Sequence, residues 1–212
     1  MMMWKHIGLW IVALILAAFA LPALMSQEQI MGHVMKELGM IERAMGKAST
    51  KTIMETAAKM YSEAFVKTGV IQATQKVRVT EDEQRGTERL FGGQLVALSD
   101  FTNEYIRGVA AMFYAASLRL VIMMTWMAYI LPFGIAIFAD GFAQRKVKLA
   151  TFGYSNPQIF NAARHTLVVM LMFPIFYLIV PIALTPLVIP FWAMVATLPT
   201  MIMVRHTQRL SI

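Results

Sequence analysis

Three uninterrupted apolar runs set the architecture that this chain predicts. The longest, from Thr166 to Val204, contains 39 residues without one Asp, Glu, Lys, Arg or His. One membrane crossing needs about 20 predominantly apolar residues, so this run predicts two crossings joined by a hairpin turn at Pro181 and Pro186. The runs Ile7–Leu24 and Leu120–Ala139 predict one further crossing each.

Residues 26–108 differ from these runs because apolar and polar positions recur in them with a helical period. Ser26 has the form of a helix N-cap. After a turn at 46–50, a capping box at Thr52 predicts a second helix. A later helix continues into the second crossing and is expected to bend at Gly92–Gly93, because glycine weakens a helix interior. The first helix carries an apolar stripe at spacings of three and four, formed by Ile30, Val34, Leu38, Ile41 and Met45.

Together these patterns predict an all-α membrane protein with about four transmembrane helices and a helical extracytoplasmic segment between the first and the second. The first run is long enough to span and is followed by a poor signal-peptide cleavage site, so we interpret it as a retained anchor. The predicted segments are the anchor 1–25, the extracytoplasmic segment 26–108, transmembrane helix two at 109–139, a basic cytoplasmic loop at 140–165, a transmembrane hairpin at 166–204 and a cytoplasmic tail at 205–212.

The distribution of charge predicts the orientation of these segments. The chain has a formal net charge of +7, but residues 26–108 hold 11 Lys+Arg and 11 Asp+Glu and are therefore neutral. The excess positive charge lies mostly in residues 140–165 and in the tail. Short positive loops stay in the cytoplasm, whereas longer regions translocate largely regardless of charge. We therefore predict a multi-pass protein of the bacterial inner membrane with both termini in the cytoplasm.

The basic loop holds most of the candidate interaction residues. Asp140 and Gly141 predict a turn after the second crossing, followed by a short interfacial helix with a basic face. A helix cap or an i,i+5 contact from Asp140 to Arg145 would orient this loop. The candidate interaction residues are Asp140, Gly141, Arg145, Lys146, Lys148, Arg164 and His165.

Arg119 is a separate candidate because it lies one residue before an uninterrupted apolar run. An ionisable residue inside a crossing suggests a functional site. Near a helix end, however, an arginine can extend its side chain to the lipid headgroups. We expect this second arrangement for Arg119, at the edge of the membrane.

Catalytic and metal-binding patterns are absent from the sequence. There is no Cys, and no HExxH, Walker A or GxSxG motif occurs. The 19 Met residues would suit Cu(I), but most of them lie singly on helix stripes or in apolar runs, where Met is a packing residue. We therefore expect no enzyme activity, cofactor or metal. An embedded enzyme centred on Asp140, Arg145 and His165 is the alternative.

Asp140-Gly141-Phe142-Ala143-Gln144-Arg145 follows one apolar run, and Ala163-Arg164-His165 precedes the next. This arrangement resembles a family of inner-membrane proteins encoded by integrating conjugative elements and conjugative plasmids, often beside the gene for the type IV coupling protein. The resemblance covers roughly residues 120–180, together with the length and the layout of crossings. It implies an accessory subunit of a conjugative type IV secretion system, with the coupling protein or other membrane subunits as partners.

The sequence is also compatible with other partners and functions. The basic loop would contact anionic lipid more simply than DNA, so direct DNA contact is not expected. The outer helices could pack on a second copy of the chain. A small transporter or channel lined by the proline-rich crossings is one alternative function. An exclusion factor that acts in the recipient cell is another.

Overall fold

The structure, a computed structural model, describes residues 2–69, 93–151 and 156–207. All secondary-structure elements in this part of the chain are helices, which confirms the predicted all-α class. A π-helical turn at Ser62–Val66 follows the second helix. The α-helices are α1 at Met2–Leu24, α2 at Gln27–Tyr61, α3 at Gly93–Ala150, α4 at Pro157–Ile179 and α5 at Val188–His206.

Among the described residues, three helical segments are long and apolar enough to cross a membrane: Asp100–Ala150, Pro157–Ile179 and Val188–Arg205. A fourth crossing is possible by length and composition if two further helical segments are taken together as one broken span. These segments are Gly8–Leu24 and Gln27–Val66, and the chain bends by 108° at the short break between them. Three to four crossings agree with the predicted number. Helix α4 ends at Ile179 and α5 begins at Val188, on either side of the predicted proline turn.

The chain forms two compact units. We call Ala13–Val121 with Leu178–Pro186 the N-terminal unit, and Met1–Val12, Ile122–Tyr177 and Leu187–Ile212 the C-terminal unit. In the N-terminal unit, the α2 stripe forms much of the core, because its first four members are buried and only Met45 is half-buried. Gly108 of α3 approaches α1 closely: a Cβ there would lie 3.2 Å from the Pro22 carbonyl oxygen.

Helix α2 begins as predicted. Ser26 is its N-cap, and the Ser26 hydroxyl accepts a hydrogen bond from the Gln29 backbone amide at 3.2 Å. The Gln29 side chain accepts in return from the Ser26 amide at 3.0 Å, so two otherwise unpaired amides are satisfied.

The turn predicted at 46–50 is reduced to a single residue. Gly46 has φ 83° and ψ 164°, a conformation that is essentially restricted to glycine. The helix resumes at once, and the Thr50 hydroxyl donates to the Gly46 carbonyl at 2.9 Å. The Thr52 hydroxyl donates to the Ala48 carbonyl within the helix. The predicted capping box at Thr52 is therefore wrong, because no new helix begins there.

The start of the predicted basic loop is also different. Helix α3 continues through Asp140 and Gly141 to Ala150, so a turn followed by a new interfacial helix is not formed at this position. Helix α3 begins at Gly93, and the rest of the predicted Gly92–Gly93 bend lies outside the described residues. Asn156 caps the start of α4, since its side-chain oxygen accepts a hydrogen bond from the Gln158 backbone amide at 2.9 Å.

Aromatic contacts join the helices within the C-terminal unit. The rings of Phe173 in α4 and Trp192 in α5 stack with their centroids 6.1 Å apart. The Trp192 indole also donates to the Met170 carbonyl at 2.8 Å. Trp10 of α1 contacts Phe176 of α4 edge to face at 5.4 Å. Such aromatic pairs add about 0.5–1.5 kcal/mol beyond their buried area.

Candidate functional site

Arg119 lies on α3 at the centre of the N-terminal unit. Its side chain is 3% exposed and that of Glu37, on α2, is 1% exposed. The Arg119 Nε atom lies 3.2 and 3.1 Å from the two Glu37 carboxylate oxygens, and Nη2 lies 3.0 Å from Oε2. The guanidinium and the carboxylate therefore form the forked pairing that is the strongest arrangement for these two groups.

The same guanidinium also binds the connection between α4 and α5. Arg119 Nη1 donates to the Val180 carbonyl, and Nη2 donates to the Ile182 carbonyl at 2.6 Å. Prolines at 181 and 186 keep this connection out of a helix, so its carbonyls need donors from elsewhere. Arg119 thus joins α2, α3 and the 180–187 connection through one side chain.

The Arg119 side chain does not extend outward as expected, whereas its position at the membrane edge stays a prediction. A side chain that extended to the headgroups would be exposed, whereas this one is buried and bound to Glu37. Glu37 was not among the predicted site residues, although its place in the sequence carries a signal. Ile30, Val34, Glu37 and Ile41 follow each other at spacings of four, three and four, so the carboxylate lies on the apolar stripe itself. A charge in such a stripe needs a buried partner.

The other candidate residues lie in the C-terminal unit. Gly141 is buried where α3 crosses α5: a Cβ there would lie 3.2 Å from both Cβ and Cγ1 of Val204. Asp140 is exposed, and its carboxylate accepts from the Gln144 side chain at 2.7 Å, one helical turn on. The predicted contact from Asp140 to Arg145 depended on a turn that the continuous helix removes. Gly141 acts instead in close helix packing.

Arg145 on α3 and Arg164 on α4 share an unusual environment. Both side chains are half-buried, and the Nε atom of each is buried without a hydrogen-bond partner among the described residues. The Arg164 guanidinium lies 5.9 Å from the centre of the Phe160 ring, a cation–π distance. Lys146 and His165 are exposed. The two arginines therefore retain hydrogen-bonding capacity that the described part of the chain does not use.

Lys148 is part of a small polar cluster that the sequence did not reveal. The His206 Nδ1 atom lies 3.3 Å from the Lys148 Nζ atom and accepts from the Asn156 amide at 3.3 Å. Desolvation, followed by the charges of Lys148 and Arg205, lowers the pKa of His206 below its ordinary value. The cluster joins the ends of α3, α4 and α5, and it requires a neutral imidazole with Nδ1 as acceptor.

Among the described residues, neither unit has the geometry of a metal centre. Within residues 2–69, 93–151 and 156–207, no group of three or more His, Cys, Asp or Glu side chains converges. The Glu37 carboxylate is occupied by Arg119, and the Asp140 carboxylate is bound to a neutral amide. These arrangements fix helices and present basic side chains, and neither provides an activated nucleophile or a base beside an open site.

Comparison with known proteins identifies the kind of protein to which this architecture belongs. Residues 20–208 match the model of a family described as "IncC plasmid conjugative DNA transfer protein DtrJ-like". No curated protein and no solved structure gave a match.

Proposed function

Because the chain belongs to the DtrJ-like family of conjugative DNA transfer proteins, we propose that it is a non-enzymatic accessory subunit of the transfer apparatus in the inner membrane. The observation that carries this proposal is the extent of the family match. Residues 20–208 include all of α2 to α5 in addition to the segment around Asp140.

The contacts within each unit support a structural role for the protein and not transport of a solute. In the N-terminal unit, the buried charges bind each other and backbone carbonyls, so they stabilise the fold and do not line a path for a solute. A transport path usually carries ionisable groups that face a cavity. In the C-terminal unit, Arg145 and Arg164 are half-buried, and their guanidinium groups form no hydrogen bond or ion pair with the described residues.

We place these two arginines at the cytoplasmic side, where they would bind an acidic surface of a neighbouring subunit. The type IV coupling protein is the partner that we propose. Arginine suits this role because its planar group binds carboxylates through two parallel hydrogen bonds. Lys146, Lys148 and His165 would lie near the anionic headgroups.

The test is to delete the gene from the element that encodes it and to count transfer from donor to recipient. Complementation is supplied separately in the donor and in the recipient. We expect transfer to fall and to be restored only from the donor. Unchanged transfer out of the donor would overturn the proposal, and a phenotype confined to the recipient would indicate an exclusion factor.

A second experiment tests the proposed contact. Arg145→Gln and Arg164→Gln are introduced together and compared with Lys51→Gln, which removes an exposed charge from α2. Site-specific crosslinking from residue 146 to the coupling protein should fall in the double variant and persist in the control. Equal crosslinking in both variants would remove these arginines from the interface.

A further inference from the structure

The N-terminal unit contains an apolar cavity that the proposed function does not use. It has a volume of about 190 Å³ and is partly open to the outside. Its walls come from α1, α3 and the end of α4, and they include Ala18, Pro22, Met112, Ala116 and Leu178. Apolar cavities of about 150 Å³ stay dry and bind apolar guests of the size of benzene, so this space admits a guest of several methylene groups.

The polar groups around the cavity are few. The Tyr105 hydroxyl donates to the Phe19 carbonyl at 3.3 Å, in an exposed position. The other described residues that line the cavity have aliphatic, aromatic or Met side chains. A polar or charged ligand would lose its hydration there without gaining hydrogen bonds. The chemistry of the wall therefore selects a guest that is apolar over the part of its length that enters.

The mouth of the cavity identifies the source of this guest. Phe19 lines the cavity and is 68% exposed. It continues an exposed apolar face of α1 with Ile15 and Leu16. This face belongs to the apolar run Ile7–Leu24, in which every residue is uncharged. In a bilayer such a face is covered by lipid, so the cavity opens where acyl chains are present at high concentration.

We propose that this cavity binds one acyl chain of a membrane phospholipid. The chain enters beside Phe19 and fills the space between Pro22 of α1 and Ala116 of α3. Bound lipid then stabilises the N-terminal unit, because apolar surface that faces an empty space lacks dispersion contacts. The proposal does not depend on a role in DNA transfer.

The test uses the full chain in detergent micelles or nanodiscs with a phospholipid that carries a photoreactive group in its acyl chain. After illumination, labelled peptides are located by mass spectrometry. We expect saturable labelling of α1 around residues 18–22 and of α3 around residues 105–116. An excess of unlabelled phospholipid should compete for this labelling more strongly than for labelling of the exposed faces.

Two variants decide whether the cavity is responsible for the saturable labelling. Ala116→Phe fills the space, and Ala128→Phe adds the same side chain at an exposed position on the same helix. We expect labelling of the cavity to be about tenfold lower in Ala116→Phe, which corresponds to about 1.4 kcal/mol of binding free energy, and unchanged in Ala128→Phe.

The folding of each variant is checked by its thermal unfolding without added lipid, where the cavity-filling variant should equal or exceed the parent. If Ala116→Phe unfolds early, Ala18→Leu takes its place. Labelling spread evenly over all exposed apolar faces would overturn the proposal. The proposal would also be overturned if the cavity were not labelled in lipid and if this position formed a crosslink to another protein in cells. The cavity would then bind a side chain of a partner protein.

Discussion

Arg119 in the N-terminal unit and Arg145 in the C-terminal unit are the same residue type on the same helix, yet their surroundings differ. The Arg119 guanidinium is bound by a buried carboxylate and by two backbone carbonyls. The Arg145 Nε atom is buried without a hydrogen-bond partner among the described residues, and Arg164 on α4 shares this feature. A saturated arginine stabilises its own fold, whereas a half-buried arginine without a partner among the described residues remains able to bind another molecule through its exposed part.

The largest effect is expected at Arg119. Replacing it by Met leaves the Glu37 carboxylate buried without a counter-charge and removes the donors that bind the Val180 and Ile182 carbonyls. Breaking a buried pair in this way costs about 3–5 kcal/mol, so the free energy of unfolding in detergent should fall by about that amount. Arg107→Met is the matched control, because Arg107 is exposed on the same helix, and it should stay within about 0.5 kcal/mol of the parent.

The double variant Glu37→Met/Arg119→Met separates the ion pair from the rest of the contacts. It leaves no buried charge alone, so it should be more stable than the sum of the two single changes predicts, with a coupling of about 1–3 kcal/mol. Strict additivity of the two changes would show that they do not act as a pair.

The second effect concerns helix packing in the C-terminal unit. Gly141→Val places methyl groups against Val204, since even a Cβ at this position lies 3.2 Å from that side chain. Gly134→Val is the control on the same helix, where a Cβ meets nothing within 4 Å. We expect Gly141→Val to lower the free energy of unfolding by about 1–3 kcal/mol more than the control. Equal losses would place Gly141 outside the packing contact.

For Arg145 and Arg164 we expect a small effect on stability and a clear effect on DNA transfer, unlike the large loss of stability expected for Arg119. Arg145→Gln and Arg164→Gln should each change the free energy of unfolding by no more than about 0.5 kcal/mol, as for substitutions outside structural networks, while lowering DNA transfer. Denaturation and mating assays on the same variants measure both quantities. A loss of stability comparable to that of Arg119→Met would show that these arginines are structural as well.

The smallest effect is a dependence of stability on pH. Because the pKa of His206 is lowered in the folded protein, the unfolded chain takes up the proton first as the pH falls. The contribution of His206 is thus complete above its ordinary pKa of about 6.5 and declines below it, down to the lowered value. His206→Gln should flatten this part of the stability profile. A parent whose stability rises on acidification in this range would contradict the assignment.

The helices were predictable because their signals are local. Uncharged runs of sufficient length, the stripe that begins at Ile30, and the N-cap at Ser26 each depend on residues within a few turns of each other. The turn between α4 and α5 was equally predictable, because proline limits helix formation wherever it lies. These signals need no knowledge of which helices touch.

The candidate site was less predictable because it depends on contacts between distant segments. Glu37 and Arg119 are 82 positions apart, and no spacing rule joins them. At Asp140 and Gly141 the local signal was misleading: a glycine after an aspartate is typical of a turn, but it equally allows close approach of two helices. Thr52 shows the same ambiguity, since its hydroxyl can cap a new helix or bind a carbonyl within an existing one.

Gly46 has a consequence for how sequence variation in this protein should be interpreted. It is exposed, and a Cβ there would meet nothing within 4 Å, so by contact alone every residue should be tolerated. Its φ of 83° and ψ of 164° nevertheless restrict the position to glycine. In a survey of all single substitutions, Gly46 would resemble a binding residue although it touches no partner. Replacement by a D-amino acid, which favours positive φ, distinguishes the two explanations: it should preserve the fold where the L-residue does not.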